Sequence, residues 1–103
     1  HNDVPALARK YAKRTWFVHL RSTEVLPGGN FREASHLGGR ANIVELVRIF
    51  LRENPDLPMR VDHAPLMLGD EKMGYNAGYS FHGRMLALGQ VEGIMAAVKA
   101  LDK

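Results

Sequence analysis

A chain of 103 residues carries one domain at most, with a modest core. Hydrophobic residues at 46% and charged residues at 24% are ordinary for a soluble globular protein, and no apolar run nears the ~20 residues that span a bilayer. The absence of Cys excludes a disulfide framework and fits a cytoplasmic setting, and the net charge of +3 comes from scattered basic residues with no aromatic stacking motif, which argues against nucleic acid as a partner.

The chain opens on His1 at the very edge of a helix and reads as a piece cut from something longer. Asn2 or Asp3 can cap that first helix, with Pro5 in its first turn, where a missing N–H costs nothing. The helix is expected to run to about Lys13. Leu7, Tyr11 and the alanines form one side, and Arg9, Lys10 and Lys13 the other.

Residues 15–21 are β-branched and aromatic, bounded by charges, and read as a strand. Trp16, Phe17 and Val18 are apolar on both parities, the pattern of a strand covered on both faces. Residues 22–41 form a long loop, expected to be ordered and to fold over a site. Asn42 and Glu45 make a capping-box-like start to a helix over 42–54, with Ile43, Leu46, Val47, Phe50 and Leu51 on one face. A short connection leads to a second strand over 58–62, then a second long loop over 63–79. Ser80 can cap a last helix over 80–101. Its expected apolar face is Met85, Leu88, Ile94, Met95, Val98 and Leu101, and a break near Gly89 is possible from its glycines.

Loops after strands are long, and connections after helices are short. In α/β folds the loops leaving the strand C-termini build the active site. Two strands neither close a barrel nor make a stable open sheet alone. The expected architecture is therefore two βα units of a larger (β/α) barrel, with the two strands side by side or nearly so.

That layout brings ligand-type residues to strand ends. His19 and Asp62 are an imidazole and a carboxylate of the kind that binds Mn²⁺, Fe²⁺ or Zn²⁺, or else a His and an Asp satisfied by a neighbouring Arg. His63 follows Asp62 and can act as acid or base near neutral pH, or simply bond to backbone. Tyr79 can bring a hydroxyl to the site, or pack. Arg21 and Arg60 can hold a carboxylate in the bidentate way guanidinium favours, or form structural ion pairs. His36 is ambiguous, and His82 is expected to face outward. Gly28-Gly29 and Gly38-Gly39 are not phosphate loops, since no Lys-Ser/Thr follows.

Four segments are familiar in order and spacing: WFVHLRS, NFREASHLGG, PMRVDHAPLMLGD and AGYSFHGRMLALGQVEG. They resemble the C-terminal part of bacterial mannonate dehydratase, whose pattern runs F-V-H-L-R, F-H-E-A-A-H-L, R-P-D-H-G, P-G-Y. The resemblance covers nearly all of the chain. It implies two C-terminal βα units of a xylose-isomerase-like (β/α)8 TIM barrel with a Mn²⁺ or Fe²⁺ cofactor. It implies dehydration of D-mannonate to 2-keto-3-deoxy-D-gluconate in hexuronate breakdown. His19 and Asp62 match metal ligands of the family, and His63 and Tyr79 its acid/base candidates. Arg21, Arg60 and His36 are expected to bind substrate. The remaining ligands, a His and a Cys, would lie upstream. The implied partners are the sugar acid, the remainder of the barrel and a second copy in a homodimer. The isolated piece is expected to be inactive.

Arg32, Val61 and Ala64 depart from the pattern, and Arg32 takes the place of a loop His. These departures touch substrate identity more than metal or acid/base chemistry. A metal-dependent sugar isomerase or epimerase on the same barrel, or a non-catalytic fragment, are the competing readings.

Overall fold

In the computed structural model, which describes residues 2–102, Asp3 starts the first helix. Its carboxylate accepts a hydrogen bond from the Ala6 N–H at 3.1 Å, and Pro5 sits in the first turn. Helix α1 spans Val4–Tyr11 and gives way there to a 3₁₀ turn, Ala12–Arg14, so the α-helical part ends short of the expected Lys13.

Strand β1 is Val18–Leu20, shorter than the expected 15–21. It pairs in parallel with β4, Met59–Val61, in the register Val18 to Met59, His19 to Arg60 and Leu20 to Val61. The side-by-side placement is as expected. The shortening has a simple cause: among the described residues each strand has one neighbour, and the ladder lasts only as long as both strands do. Trp16 and Phe17 lie outside it and are exposed at 86% and 63%, so this stretch is not covered on both faces here.

The segment expected as a loop over 22–41 contains a hairpin. Strands β2 (Thr23–Val25) and β3 (Phe31–Glu33) pair antiparallel, joined through a Pro27–Gly29 turn. Gly28 and Gly29 both have φ of +83°, a conformation that glycine adopts without a steric penalty. After β3 the chain closes back on the start of the hairpin. Arg40 N–H donates to Thr23 C=O at 2.9 Å, and Ser22 Oγ donates to Gly38 C=O at 2.7 Å.

Asn42 caps helix α2, Ile43–Glu53, by accepting from Glu45 N–H at 3.0 Å. The predicted apolar face is buried: Ile43, Leu46, Val47, Phe50 and Leu51, with Ile49 beside them. These side chains meet Ala8 and Ala12 from the first helix, Leu20 from β1, and Val91 and Ile94 from the last helix. That last helix, α3, runs unbroken over Phe81–Leu101, with no interruption at Gly89. Its buried positions are Gly83, Ala87, Val91 and Ile94, while Met85, Leu88 and Leu101 are exposed. The small residues lie inward because the helix approaches closely: a Cβ at Gly83 would stand 2.1 Å from the Pro65 carbonyl oxygen. At its far end, Asp102 accepts from Arg48 Nε at 2.6 Å and from Arg52 at 3.4 Å, pinning α3 to α2. No described helix is long and apolar enough to cross a membrane.

The loop from β4 to α3 is held by Asp70, which is 1% exposed. It lies in a 3₁₀ turn, Asp70–Lys72. Its Oδ2 accepts from Met67 N–H at 2.7 Å and from the Ser80 hydroxyl, and its Oδ1 bonds His82 Nδ1 at 3.0 Å. Ser80 Oγ in turn accepts from Gly83 N–H at 2.9 Å and caps α3. His82 nonetheless keeps 63% of its side chain exposed, on the outward face where it was expected.

Two outcomes are expected. Leu20→Ala removes a side chain 2% exposed at the centre of the core and should cost about 2–5 kcal/mol in denaturant unfolding of the intact protein. The hydrogen bonds from Ser80, then His82 and Met67, hold the Asp70 carboxyl below its usual range. Its stabilising contribution is thus complete above about pH 4 and is lost as pH falls through the lower folded value. Amide exchange across 67–83 should rise with acid over that interval, and less so in Asp70→Asn.

Candidate metal and acid–base site

The parallel register sets His19 and Asp62 at neighbouring strand ends. His19 Nδ1 is 3.5 Å from Asp62 Oδ1, and His63 Nε2 is 3.7 Å from the same oxygen. One carboxylate thus stands between two imidazoles, at the end of the sheet that the long loops leave. Among the described residues, no three His, Cys, Asp or Glu side chains, these included, are arranged to hold a metal ion by themselves. An imidazole and a carboxylate fit part of the donor set of Mn²⁺, Fe²⁺ or Zn²⁺.

His63 is fixed by the return of its own loop. Gly78 has φ of +86°, and a Cβ there would stand 2.3 Å from His63 Nδ1. Any side chain at this position collides with the imidazole. His63 Nδ1 is buried with no hydrogen-bond partner among the described residues. The next residue, Tyr79, sets its ring edge-on to His63, centroids 4.8 Å apart and planes at 85°. On Tyr79 lies the Arg84 guanidinium, 4.9 Å from the ring centre.

Arg21 is paired. Its Nε donates to Glu33 Oε2 at 3.0 Å and its Nη2 to Glu33 Oε1, while its guanidinium lies 5.5 Å from the Phe31 ring centre. The Glu33 hydrogen bonds, opposed by partial burial and helped by the negative charges of Glu33 and Asp62, raise the Arg21 pKa above its ordinary value. Arg21 is therefore a permanent cation beside Asp62 and Tyr79. Arg60 is exposed on β4, opposite His19 in register. His36 lies elsewhere: it is 1% exposed, with Nε2 at 2.7 Å from the Leu20 carbonyl and its backbone N–H donating to Gln90 Oε1 at 3.0 Å. A carbonyl only accepts, so Nε2 carries the proton.

Between the hairpin and the β4–α3 loop opens a cleft of about 840 Å³. Arg21, Phe31 and Glu33 line one side, and His63, Pro65 and Gly78 the other. Arg32, also on its wall, is held by Glu24 through two contacts of 3.1 Å. The structure thus gathers His19, Asp62, His63, Tyr79 and Arg21, and leaves His36 in the interior. Sequence reasoning missed Glu33, Phe31, Asp70 and Arg84. The first two had a signal, the alternation of Phe31 and Glu33 after a Gly-Gly turn. Asp70 and Arg84 had none, since their partners are set by the fold.

A profile of the family described as D-mannonate dehydratase (UxuA) matches residues 1–103. Mannonate dehydratase 2 of Agrobacterium fabrum is 36% identical over 107 aligned positions, covering 95% of this chain and 27% of that protein. Mannonate dehydratase of Saccharophagus degradans is 35% identical, covering 99% and 28%. Mannonate dehydratase of a Marinomonas strain is 39% identical, covering 96% and 28%. The chain spans about a quarter of the length of these curated relatives. With the whole chain matched by the profile and the segments WFVHLRS and PMRVDHAP delivering His19 and Asp62 to one sheet end, the chain belongs to the D-mannonate dehydratase family.

Proposed function

We propose that this chain supplies part of the active site of an enzyme that dehydrates D-mannonate to 2-keto-3-deoxy-D-gluconate in hexuronate breakdown. The observation that carries the reading is the convergence of His19, Asp62, His63 and Tyr79 at one end of the β1–β4 pair. The family, the span of about a quarter of the relatives, and a sheet of only two parallel strands support a further point. Here β1–hairpin–α2 and β4–loop–α3 are two C-terminal βα units of a (β/α)8 barrel completed by other segments.

His19 and Asp62 are the residues that would hold Mn²⁺ or Fe²⁺, with further ligands from the rest of the barrel. A bound divalent ion supplies charge stabilisation for the substrate carboxylate as the neighbouring carbon is deprotonated. The chain's own residues do the rest. Loss of water needs a proton taken from the carbon beside the carboxylate and a proton given to the departing hydroxyl. The resulting enol then becomes the ketone. His63 Nε2 and the Tyr79 hydroxyl are the two atoms that hold and move these protons. Burial of His63 Nδ1 against Gly78 keeps the ring from turning, so Nε2 stays the working atom. Arg21, and Arg60 on the adjacent strand, attract the sugar acid. Arg21 reaches the cleft from its Glu33 pair and can engage a carboxylate there.

The test is the intact protein with D-mannonate and Mn²⁺, following formation of the 2-keto-3-deoxy acid. Loss of water supports the dehydratase, whereas an isomerised sugar or sugar acid of unchanged mass supports the isomerase reading. His63→Asn and Tyr79→Phe should each lower kcat by roughly 10²–10⁴-fold with bound metal retained. His19→Ala and Asp62→Asn should lower metal content, read by elemental analysis of the purified protein. Full metal occupancy in the double variant His19→Ala/Asp62→Asn would exclude these two as ligands.

A further inference from the structure

We infer that Asp70 is a positioning residue for the Tyr79–His63 pair. The inference rests on the acid–base reading above, and deepens it. Asp70 stands outside the cleft lining, yet its carboxylate ties together the two arms of the loop that carries the site.

The outgoing arm leaves His63 and passes Pro65 to Met67, whose N–H donates to Asp70 Oδ2. The returning arm passes Gly78 and Tyr79 to Ser80, whose hydroxyl donates to the same oxygen. The ring is closed at the other side by Tyr79 against His63, at 4.8 Å, and by Ala64 N–H donating to Gly78 C=O at 3.4 Å. Each arm is also set against α3. Ser80 caps it through Gly83 N–H, and the Pro65 carbonyl lies where a Gly83 side chain would begin. Asp70 is thus a carboxylate buried at 1% exposure in the loop, bonded to Met67 on the outgoing arm, to Ser80 beside Tyr79 on the returning arm, and to His82 in the first turn of α3. Tyr79 is 50% exposed; its ring meets His63 and the Arg84 guanidinium, and among the described residues its backbone is held by the bond from its N–H to Asn76 C=O at 3.1 Å. Ser80, one residue away, anchors the backbone that carries this ring.

A carboxylate suits this task better than a neutral group. It accepts from a backbone N–H, a hydroxyl and an imidazole at once, and bonds to an ionised acceptor are roughly twice as strong as neutral ones. Asn in its place offers one oxygen and turns an N–H₂ group toward a donor.

The experiment uses the intact, metal-loaded protein. Asp70→Asn and Ser80→Ala are each expected to lower kcat for D-mannonate by roughly 10- to 100-fold, the scale of a small misplacement of reacting groups. KM and metal content should stay near the parent values, and Ser80→Thr, which keeps the hydroxyl, should restore most of the rate. In a Tyr79→Phe background, Asp70→Asn should add less than about threefold, because the two changes act through one group. Amide exchange gives a readout free of catalysis: Tyr79 and Ala64 should exchange faster in both variants, with α2 unchanged. A full additive loss in the Tyr79→Phe background, or unchanged exchange at Tyr79, overturns the inference. If Asp70→Asn does not fold, Ser80→Ala and Ser80→Thr decide it alone. If the parent leaves D-mannonate intact, the dehydratase reading fails, and the exchange of Tyr79 still decides whether Asp70 positions it.

Discussion

The Leu20 carbonyl accepts two hydrogen bonds, and the arrangement of the site follows from them. One comes from Asp62 N–H at 3.1 Å and extends the β1–β4 ladder by one residue, placing the Asp62 carboxylate beside His19. The other comes from His36 Nε2 at 2.7 Å and seats the hairpin segment on the end of the same strand. A carbonyl has two lone pairs, and here both are used, inside the core where an unmade bond is costly. Leu20 itself is 2% exposed, so the strand end cannot shift without opening the packing against α2 and α3. A rigid scaffold and two functional loops meet at one backbone atom.

The two loops are held by different means. The first is tied mainly through its backbone: the hairpin ladder, the closure of Arg40 onto Thr23, and His36 N–H on the Gln90 side chain of α3. The second has no ladder; the buried Asp70 carboxylate ties its two arms together, with Ala64 N–H on Gly78 C=O beside the site. Electrostatics differ accordingly. On the hairpin, Glu33 and Glu24 balance Arg21 and Arg32, so the cleft wall carries paired charges. On the Tyr79 side, the Arg84 guanidinium faces a ring, and its Nε is buried without a partner among the described residues.

Local rules made much of this legible from the sequence. The Asn42 cap, the face of α2, the parallel pairing and the meeting of His19 with Asp62 follow from capping chemistry, helical period and the βαβ layout. The misreadings share one cause, which is that long-range packing decides between local options. Trp16 and Phe17 looked like strand, but β4 offers no partner residues opposite them. The Pro27-Gly28-Gly29 turn is locally compatible with a long loop or a hairpin, and the pairing of Thr23 with Glu33 makes it a hairpin. On α3 the expected face meets the core at Ile94, Met95 and Val98, while Met85, Leu88 and Leu101 are exposed because the close approach of the helix buries Gly83 and Ala87 instead. His36 could have been assigned to substrate or core on sequence alone; its carbonyl partner lies 16 residues away.

Helix α3 has a consequence of a mechanical kind. Its 21 residues span about 30 Å without a kink. One end is fastened at Asp102 to Arg48 and Arg52, and the other at Ser80, next to Tyr79. It is a strut with its far anchorage on the outer helix layer and its near end at the acid–base pair. A tilt of one degree about Asp102 moves Ser80 by roughly 0.5 Å, from length alone. The buried positions Gly83, Ala87, Val91 and Ile94 between those two ends therefore have to hold the helix axis steady, and with it the anchor of Ser80.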